Sequence, residues 1–393
     1  MNDTMKLLCE LIKECIDEGY RADIDNAELT SDDLLELYKL SAAHDVAHLA
    51  ASTLDVHGML PKDKLGDAFR RSAMLAVYRH EGQSHEMARI DRALEMAGID
   101  FIFLKGSVLC NEYPKPYFRT RSDIDVLVRP ESFEDAKGVM DKVLGYKKTF
   151  TTLHDVSFSS VGDVHVELHH TLREDEMKVG SKPEILARIL DSVWDNVHLC
   201  EGTNHRYLIN DDFVCVYHYS HMAKHFLHGG CGIKPFIDIK VMDKMLKSCY
   251  ASFRTLAKEA GILTFANCAI NLSNVWFGDS EHDDDSLKLE SYVLMGGMYG
   301  TYKNRMTVTQ VKAHGKIGYY LSRIFIPWKM LKQKYRILEK HKWLTPVFEV
   351  VRWVCYIFSS KSKKRSMAEM QISSEISETQ SQEMSLMLES LGL

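Results

Sequence analysis

The sequence predicts an α+β protein in which a small mixed β-sheet is embedded between N- and C-terminal helical regions. Three observations carry that reading. Apolar residues over 1–98 recur at helical spacing. At residue 99 the texture changes to short apolar runs separated by turn residues. From about residue 183 the helical spacing returns.

Leu7, Leu8, Leu11, Ile12, Cys15 and Ile16 share one stripe of a first helix. Thr30 and Asp33 form a capping pair ahead of LLELYKL. A long helical pattern from about Lys62 stops at Ala97-Gly98, where glycine suits a C-terminal cap. IDFIFL then reads as a strand running into Lys105-Gly106-Ser107, a short helix VLCNEY and a Pro-bearing loop YPKPYF. The strand IDVLV follows, then a helix opened by Pro130 and closed near Gly145. FTTL and VSFSS read as strands, Gly162-Asp163 as a turn and Val164–His169 as a further strand. The expected units are a helical region 1–98, a mixed α/β core 99–175, a helical domain 176–310, basic aromatic helices 311–360 and a polar tail 361–393. Residues 366–393 hold five Glu and no Lys or Arg, which predicts a frayed or weakly helical tail.

A chain of 393 residues can bury a sizeable core, and 45% hydrophobic with 26% charged residues is ordinary globular composition. Residues 1–20 read as an amphipathic helix rather than a secretory signal, and no apolar run reaches the roughly 18 residues of a membrane span. Nine cysteines without a Cys-x-x-Cys pair predict reduced, mostly buried thiols in a cytoplasmic protein. The net charge of −6 conceals an asymmetry: residues 323–365 carry twelve Lys/Arg against Glu339 and Glu349, a balance of +10, so the remainder sums to −16. That distribution argues against a general nucleic-acid coat and leaves the C-terminal region to meet an anionic surface.

Chemistry concentrates in SDIDVLV. Side chains alternate along a strand, so Asp123 and Asp125 share one face while Ile124, Val126 and Val128 share the other. Neighbouring carboxylates repel, so something positive must sit between them. On VHVELHH, Glu167 shares a face with His165 and His169, opposite Val164, Val166 and Leu168. If that strand lies beside IDVLV, three carboxylates converge into a hard oxygen site suited to Mg²⁺ or Mn²⁺. Lys105-Gly106-Ser107 leaves a strand and enters a helix, where exposed N–H groups attract phosphate. Taken singly, Asp123 and Glu167 read as solvated charges at a sheet edge, and strand–Gly–helix turns are common. Their joint placement one loop apart favours a site.

FLKGSVLCNEYPKPYFRTRSDIDVLV, followed by HDVSF and VHVELHH, resembles the nucleotidyltransferase fold of the DNA-polymerase-β superfamily. Within it the chain resembles a bacterial nucleotidyltransferase family, and more distantly the nucleotidyltransferase toxins of type IV abortive-infection systems. The likeness is densest over 99–172. It implies that 99–175 is the catalytic core and that 176–310 completes the cleft. It further implies metal binding by Asp123, Asp125 and Glu167, with Glu167 as candidate general base. Gly106 and Ser107 would contact the triphosphate, and Lys105 and Arg119 would neutralise its charge. The implied reaction is metal-dependent transfer of a nucleotide from an NTP such as ATP to a hydroxyl acceptor, with Mg²⁺ or Mn²⁺ as cofactor. The acceptor could be a sugar or other small molecule, a protein or a tRNA. Two departures stand out. Fifteen residues separate Ser107 from Asp123, more than the superfamily's usual spacing, and Arg121 occupies a position where small residues are usual.

HYSHMAKHFLH places His218, His221, His225 and His228 near one face of a helix, beside Lys224 and ahead of Asp238. Packed, hydrogen-bonded core histidines are the plain reading, a transition-metal site the sharper one. The resemblance includes a similar His…Lys-His…Asp segment, which implies substrate contacts by His221, Lys224, His225 and Asp238, and His169 of the VHVELHH strand is a further candidate contact. Alternative functions are a metallohydrolase on the His218–His228 helix or a non-catalytic nucleotide-binding module. Around Trp328, Trp343 and Trp353 the chain reads as core helices with solvated basic edges. Contact with nucleic acid, or a weak attachment to the anionic inner membrane face through 323–365, are the other readings.

Overall fold

A computed structural model describes residues 3–24, 29–152, 154–174, 177–298, 300–358 and 369–393. Helices α1 (Asp3–Ile16), α2 (Ser31–Ala43), α3 (Ala47–Val56) and α4 (Lys64–Ala97) build the N-terminal region. Their ends follow local chemistry. Thr30 and Asp33 form a reciprocal capping box on α2, and Asp63 accepts hydrogen bonds from the Leu65 and Gly66 N–H groups at 2.9 and 3.0 Å to start α4. Gly98 ends α4 at φ 68, a left-handed conformation open to glycine at little cost.

The sheet comprises β1 (Phe101–Phe103), β2 (Asp123–Val128), β3 (Lys147–Thr151), β4 (Asp155–Ser159) and β5 (His165–His169), in the order β1-β2-β5-β4-β3. The central pair β2–β5 is parallel and every other pairing is antiparallel. Between β1 and β2 lies the one-turn helix α5 (Gly106–Leu109), and after β2 the helix α6 (Phe133–Gly138) opens the crossover towards β5. One sheet face is apolar: Phe101, Phe103, Ile124, Val126, Val128, Val156, Phe158, Val166 and Leu168 pack with Ile90 and Leu94 of α4 and with Ala136 of α6. The other face presents Asp123, Asp125, Glu167 and His169 to a cleft. The exposed edge strand β3 is bulged between Lys148 and Phe150, which blunts it against further pairing.

A helical half closes the cleft. It contains α7 (Pro183–Asp191), α8 (Asp211–Leu227), α9 (Lys234–Val241), α10 (Asp243–Ala260), α11 (Leu263–Phe277), α12 (Asp284–Gly296) and α13 (Tyr302–Lys312). Phe213, Phe226, Phe236, Phe253, Phe265 and Phe277 are fully buried there and join a core that reaches back to α1 and α3. The turn after α8 needs glycine: a Cβ on Gly230 (φ 146) would lie 2.8 Å from the Gly300 Cα. All nine cysteines are free, and five of them are buried.

The structure departs from the sequence reading in three places. The expected all-helical run after 183 contains a hairpin, β6 (Val197–Leu199) with β7 (Tyr207–Ile209). Strands of three residues carry too little alternation to register, and Glu95 of α4 fixes this hairpin from a distance by accepting the N–H groups of Asn204, His205 and Arg206. The tail is not frayed where it is described. A helix Glu378–Ser390, capped by Ser377 and Gln380, buries Met384, Met387 and Leu388, and it packs on α12 and α13. Finally, the basic aromatic stretch is core only in part: α14 (Lys316–Ile324) buries Tyr319 and α15 (Trp328–Lys334) buries Leu331, whereas α16 (Thr345–Phe358) turns Val347, Val350, Val351 and Val354 outward. The KSKKR run at 361–365 lies outside the described residues.

Candidate active site

The cleft between sheet and helical half has a volume of about 1620 Å³. Its floor begins at a tight turn in which the Ser107 N–H donates to the Leu104 carbonyl at 3.1 Å. Lys105 occupies φ 51, ψ −128 there, a conformation that favours glycine and costs a larger residue on the order of 1–3 kcal/mol. Two bonds to one residue hold it. The Leu104 N–H donates to the Asp125 carbonyl at 3.0 Å, and Lys105 Nζ donates to Asp125 Oδ1 at 2.9 Å. The strained backbone thus aims an ammonium at the acidic strand.

Parallel pairing of β2 and β5 sets Asp123 opposite His165 and Asp125 opposite Glu167. His169 Nε2 lies 3.0 Å from Asp125 Oδ1 and 3.6 Å from Glu167 Oε2. Ligand atoms of Asp125, Glu167 and His169 all fall within 4.8 Å of one another. The cation required between the acids is therefore supplied by Lys105 and His169. Burial disfavours an imidazolium at His169, but hydrogen bonds to Asp125 and Glu167 outweigh it and raise the pKa to about 9. Burial also opposes ionisation of Asp125, yet Lys105 and His169 hold its carboxyl well below the usual range. The His169 hydrogen bond, the largest influence on Glu167, lowers its pKa as well. Asp123 is the odd acid. Burial first, then the charges of Asp125 and Glu167, push its carboxyl up to about 6 against the pull of Lys105.

On the opposite wall the charges are matched. Both Asp238 oxygens are engaged by Arg119, through Nε at 2.6 Å and Nη2 at 2.8 Å, and the Tyr113 hydroxyl donates to Oδ1 at 2.6 Å. Lys224 pairs with Glu174, and Lys234 with Asp45. His221 Nε2 and His225 Nε2 are 3.2 Å apart. Burial, then Lys105, drives His221 well below its ordinary pKa, and burial with Lys224 lowers His225 to about 4, so both rings are neutral at pH 7. Asp123, Asp125, Glu167, Lys105, Gly106, Arg119, His169, His221, Lys224, His225 and Asp238 thus all line one cleft.

Four placements differ from the sequence expectation, the first being that Asp123, expected as a metal ligand with Asp125 and Glu167, is outside the close cluster, where His169 stands instead. Arg119, expected on phosphate, spends its fork on Asp238 and donates Nη1 to the Thr120 carbonyl at 2.6 Å. Asp238, expected on substrate, is the other half of that clamp. Ser107 borders a smaller cavity of about 270 Å³ behind the turn, and its buried Oγ has no hydrogen-bond partner among the described residues. The sequence reading missed Glu174, hidden in an acidic loop, and Tyr217, one residue before the histidine ladder; both line the cleft. It left Arg121 without a role. That guanidinium is buried and contacts Cys110 Sγ at 3.0 Å, Met87 Sδ at 3.3 Å and the Gly106 carbonyl at 3.4 Å, while its Nε has no partner among the described residues. For the metallohydrolase alternative, no group of three ligand atoms gathers on the histidine helix among the described residues.

A mixed sheet whose parallel central pair aligns acids beside a Lys-Gly-Ser turn is a nucleotidyltransferase-like fold. Comparison with protein families agrees: residues 30–278 match the family described as uncharacterised nucleotidyltransferase, and the chain belongs to that family. No curated protein and no solved structure matches the chain. Among the described residues no helix is long and apolar enough to cross a membrane.

Proposed function

We propose that the protein transfers a nucleoside monophosphate from an NTP to a hydroxyl-bearing acceptor and releases pyrophosphate. One observation carries this reading: Asp125 and Glu167 stand in register on adjacent parallel strands, with His169 between them and Lys105 above. The acceptor oxygen would bond to the α-phosphorus as the bridge to the β-phosphate breaks. The hydroxyl proton would pass to Glu167, ionised at neutral pH, and the electron pair would leave with pyrophosphate.

The donor set suits a divalent ion such as Mg²⁺ or Mn²⁺. Asp125 and Glu167 would supply oxygen ligands, His169 would join them only by giving up its Nε2 proton, and the repulsion felt by Asp123 marks a deficit of positive charge beside them. A bound ion would offset charge on the phosphates and acidify the attacking hydroxyl. The protein's own cations carry the remaining load. With Arg119 paired to Asp238, Lys105, the Arg121 guanidinium beside Gly106 and Arg79 in the cleft lining are the cations that would turn to the triphosphate. The neutral His221–His225 pair offers a donor and an acceptor to hydroxyls of the nucleoside or acceptor.

The test is transfer of label from each α-³²P-labelled NTP with Mg²⁺ or Mn²⁺, together with pyrophosphate release, in wild type and in an Asp123→Asn/Asp125→Asn double variant. Metal-dependent turnover that the double variant loses supports the reading. Turnover that survives in the double variant sinks it.

A further inference from the structure

Helix α16 is built inside out. Along α16 the outward positions Val347 (53% exposed), Val350 (52%), Val351 and Val354 (47%) recur at helical spacing and form a continuous apolar stripe. The two charged residues of α16 point inward instead. Glu349 is only 7% exposed and accepts a hydrogen bond from the Ile326 N–H at 2.8 Å, while Arg352 donates to Glu349 and reaches the Arg323 and Ile324 carbonyls. The Trp353 indole N–H donates to the Ile324 carbonyl at 2.9 Å, so the inward face is a fully engaged polar seam. These polar bonds and the ring contacts of Trp353 with Phe325 and of Phe348 with Tyr335 hold α16 to the protein, and its apolar stripe is left for something else. Ile317, Leu321 and Met330 of α14 and α15 are also exposed, and Trp343 is 74% exposed.

The charge around this stripe selects its occupant. Residues 311–358 carry ten Lys/Arg against Glu339 and Glu349, a balance of +8, and one of those acids is buried in the seam. Two copies of this chain meeting face to face would bring two such fields together, which disfavours self-association. An anionic lipid surface satisfies both features, because valines and tryptophan enter the headgroup boundary while lysines and arginines stay at the phosphates. The helix is too short to do more: 14 residues at about 1.5 Å each reach about 21 Å, against a hydrocarbon core of about 30 Å. We infer that α14–α16 form a docking face that lays the apolar stripe of α16 into the interface of an anionic membrane. The inference is independent of the chemistry read from the cleft.

The test uses the full chain and flotation with vesicles of phosphatidylcholine alone or mixed with phosphatidylserine, at physiological and high salt. Binding at least about tenfold stronger to the anionic vesicles, and weakened by salt, is expected. Val350→Ser/Val354→Ser and, separately, Trp343→Ser should each reduce binding several-fold. Melting temperature and nucleotide turnover should not change, since these side chains contact solvent and lie outside the cleft. Lys340→Glu/Lys342→Glu should abolish the preference for phosphatidylserine. No flotation of the wild type, equal flotation on both vesicles, or variants that bind like wild type would overturn the proposal. So would a dimer in light scattering that Val350→Ser/Val354→Ser dissolves, which would assign the stripe to a second copy.

Discussion

The two walls of the cleft handle charge in opposite ways. On the helical wall nearly every ionic group is answered by a partner: Arg119 by Asp238, Lys224 by Glu174, Lys234 by Asp45, with His221 and His225 kept neutral by burial. On the sheet wall three acids share two cations, and Asp123 is left at odds with its neighbours. A matched ion pair can hold two elements together but has little left to offer a ligand. An unmatched set is poorly settled by itself and gains when a cation arrives. The helical wall therefore reads as a clamp and the sheet wall as the surface that the proposed transfer would use, although the histidine ladder on the helical wall is the more conspicuous of the two in the sequence.

Removing the central acid should give the largest effect. Asp125 is the common partner of Lys105 and His169, so Asp125→Asn strips the site of its organising charge. Transfer should fall by about 10³-fold, worth roughly 4 kcal/mol of activation free energy. A fall of less than about tenfold in kcat/KM would erase the distinction between the walls.

Breaking the clamp should act on stability instead. Asp238→Ala leaves Arg119 and the Tyr113 hydroxyl buried without their acceptor, and breaking a buried pair from one side costs about 3–5 kcal/mol. Urea unfolding should report a loss near the lower figure. If Asp238→Ala kept full stability but lost transfer, Asp238 would belong with the sheet wall.

Much of the arrangement of the sheet wall was legible in the sequence because it rests on short-range rules. Strand alternation puts Asp123 with Asp125 and Glu167 with His169, whereas the pairing of β2 with β5, which follows β3 and β4 in the chain, was legible only as a condition. The clamp was not legible. Arg119 and Asp238 are 119 residues apart, and no periodicity says that a guanidinium will spend its fork on a distant carboxylate rather than on phosphate. The hairpin at 197–209 was hidden for the same reason, since its strands are short and its anchor, Glu95, lies more than a hundred residues earlier. The docked final helix was obscured by polar composition, which outweighed Met384, Met387 and Leu388 falling on one face.

Acid should loosen the N-terminal helices behind the clamp before it disturbs the sheet wall. His48 donates from Nε2 to the Phe118 carbonyl at 2.9 Å, and burial lowers both His44 and His48 to about 4. A neutral buried imidazole binds its proton more readily once unfolded, where its pKa is about 6.5, so stability is intact above that value and lost as pH falls towards 4. By pH 5 the loss should be about 2 kcal/mol for each histidine. His48→Gln, which keeps a donor for Phe118, should flatten the pH profile of urea unfolding by about that amount. An unchanged slope between pH 6.5 and 4.5 would remove His48 from the account.

The smallest effect is the most discriminating, because it reverses the usual sign. Asp123 sits beside two other acids, and burial with their charges disfavours its ionised form. Asp123→Asn keeps the side-chain shape and removes one repelling charge while Asp125 retains Lys105 and His169. In the absence of divalent ions the variant should therefore be more stable than wild type at pH 7.5, by about 1 kcal/mol, since Asp123 is only partly buried and solvent screens part of the repulsion. Adding Mg²⁺ or Mn²⁺ should shrink that advantage, because a cation relieves in the wild type the same repulsion that the substitution deletes. The melting temperatures of both proteins, with and without the ion, provide the four values needed. An Asp123→Asn variant less stable than wild type without metal would mean that Asp123 is already satisfied, and the sheet wall would then be matched like the helical one.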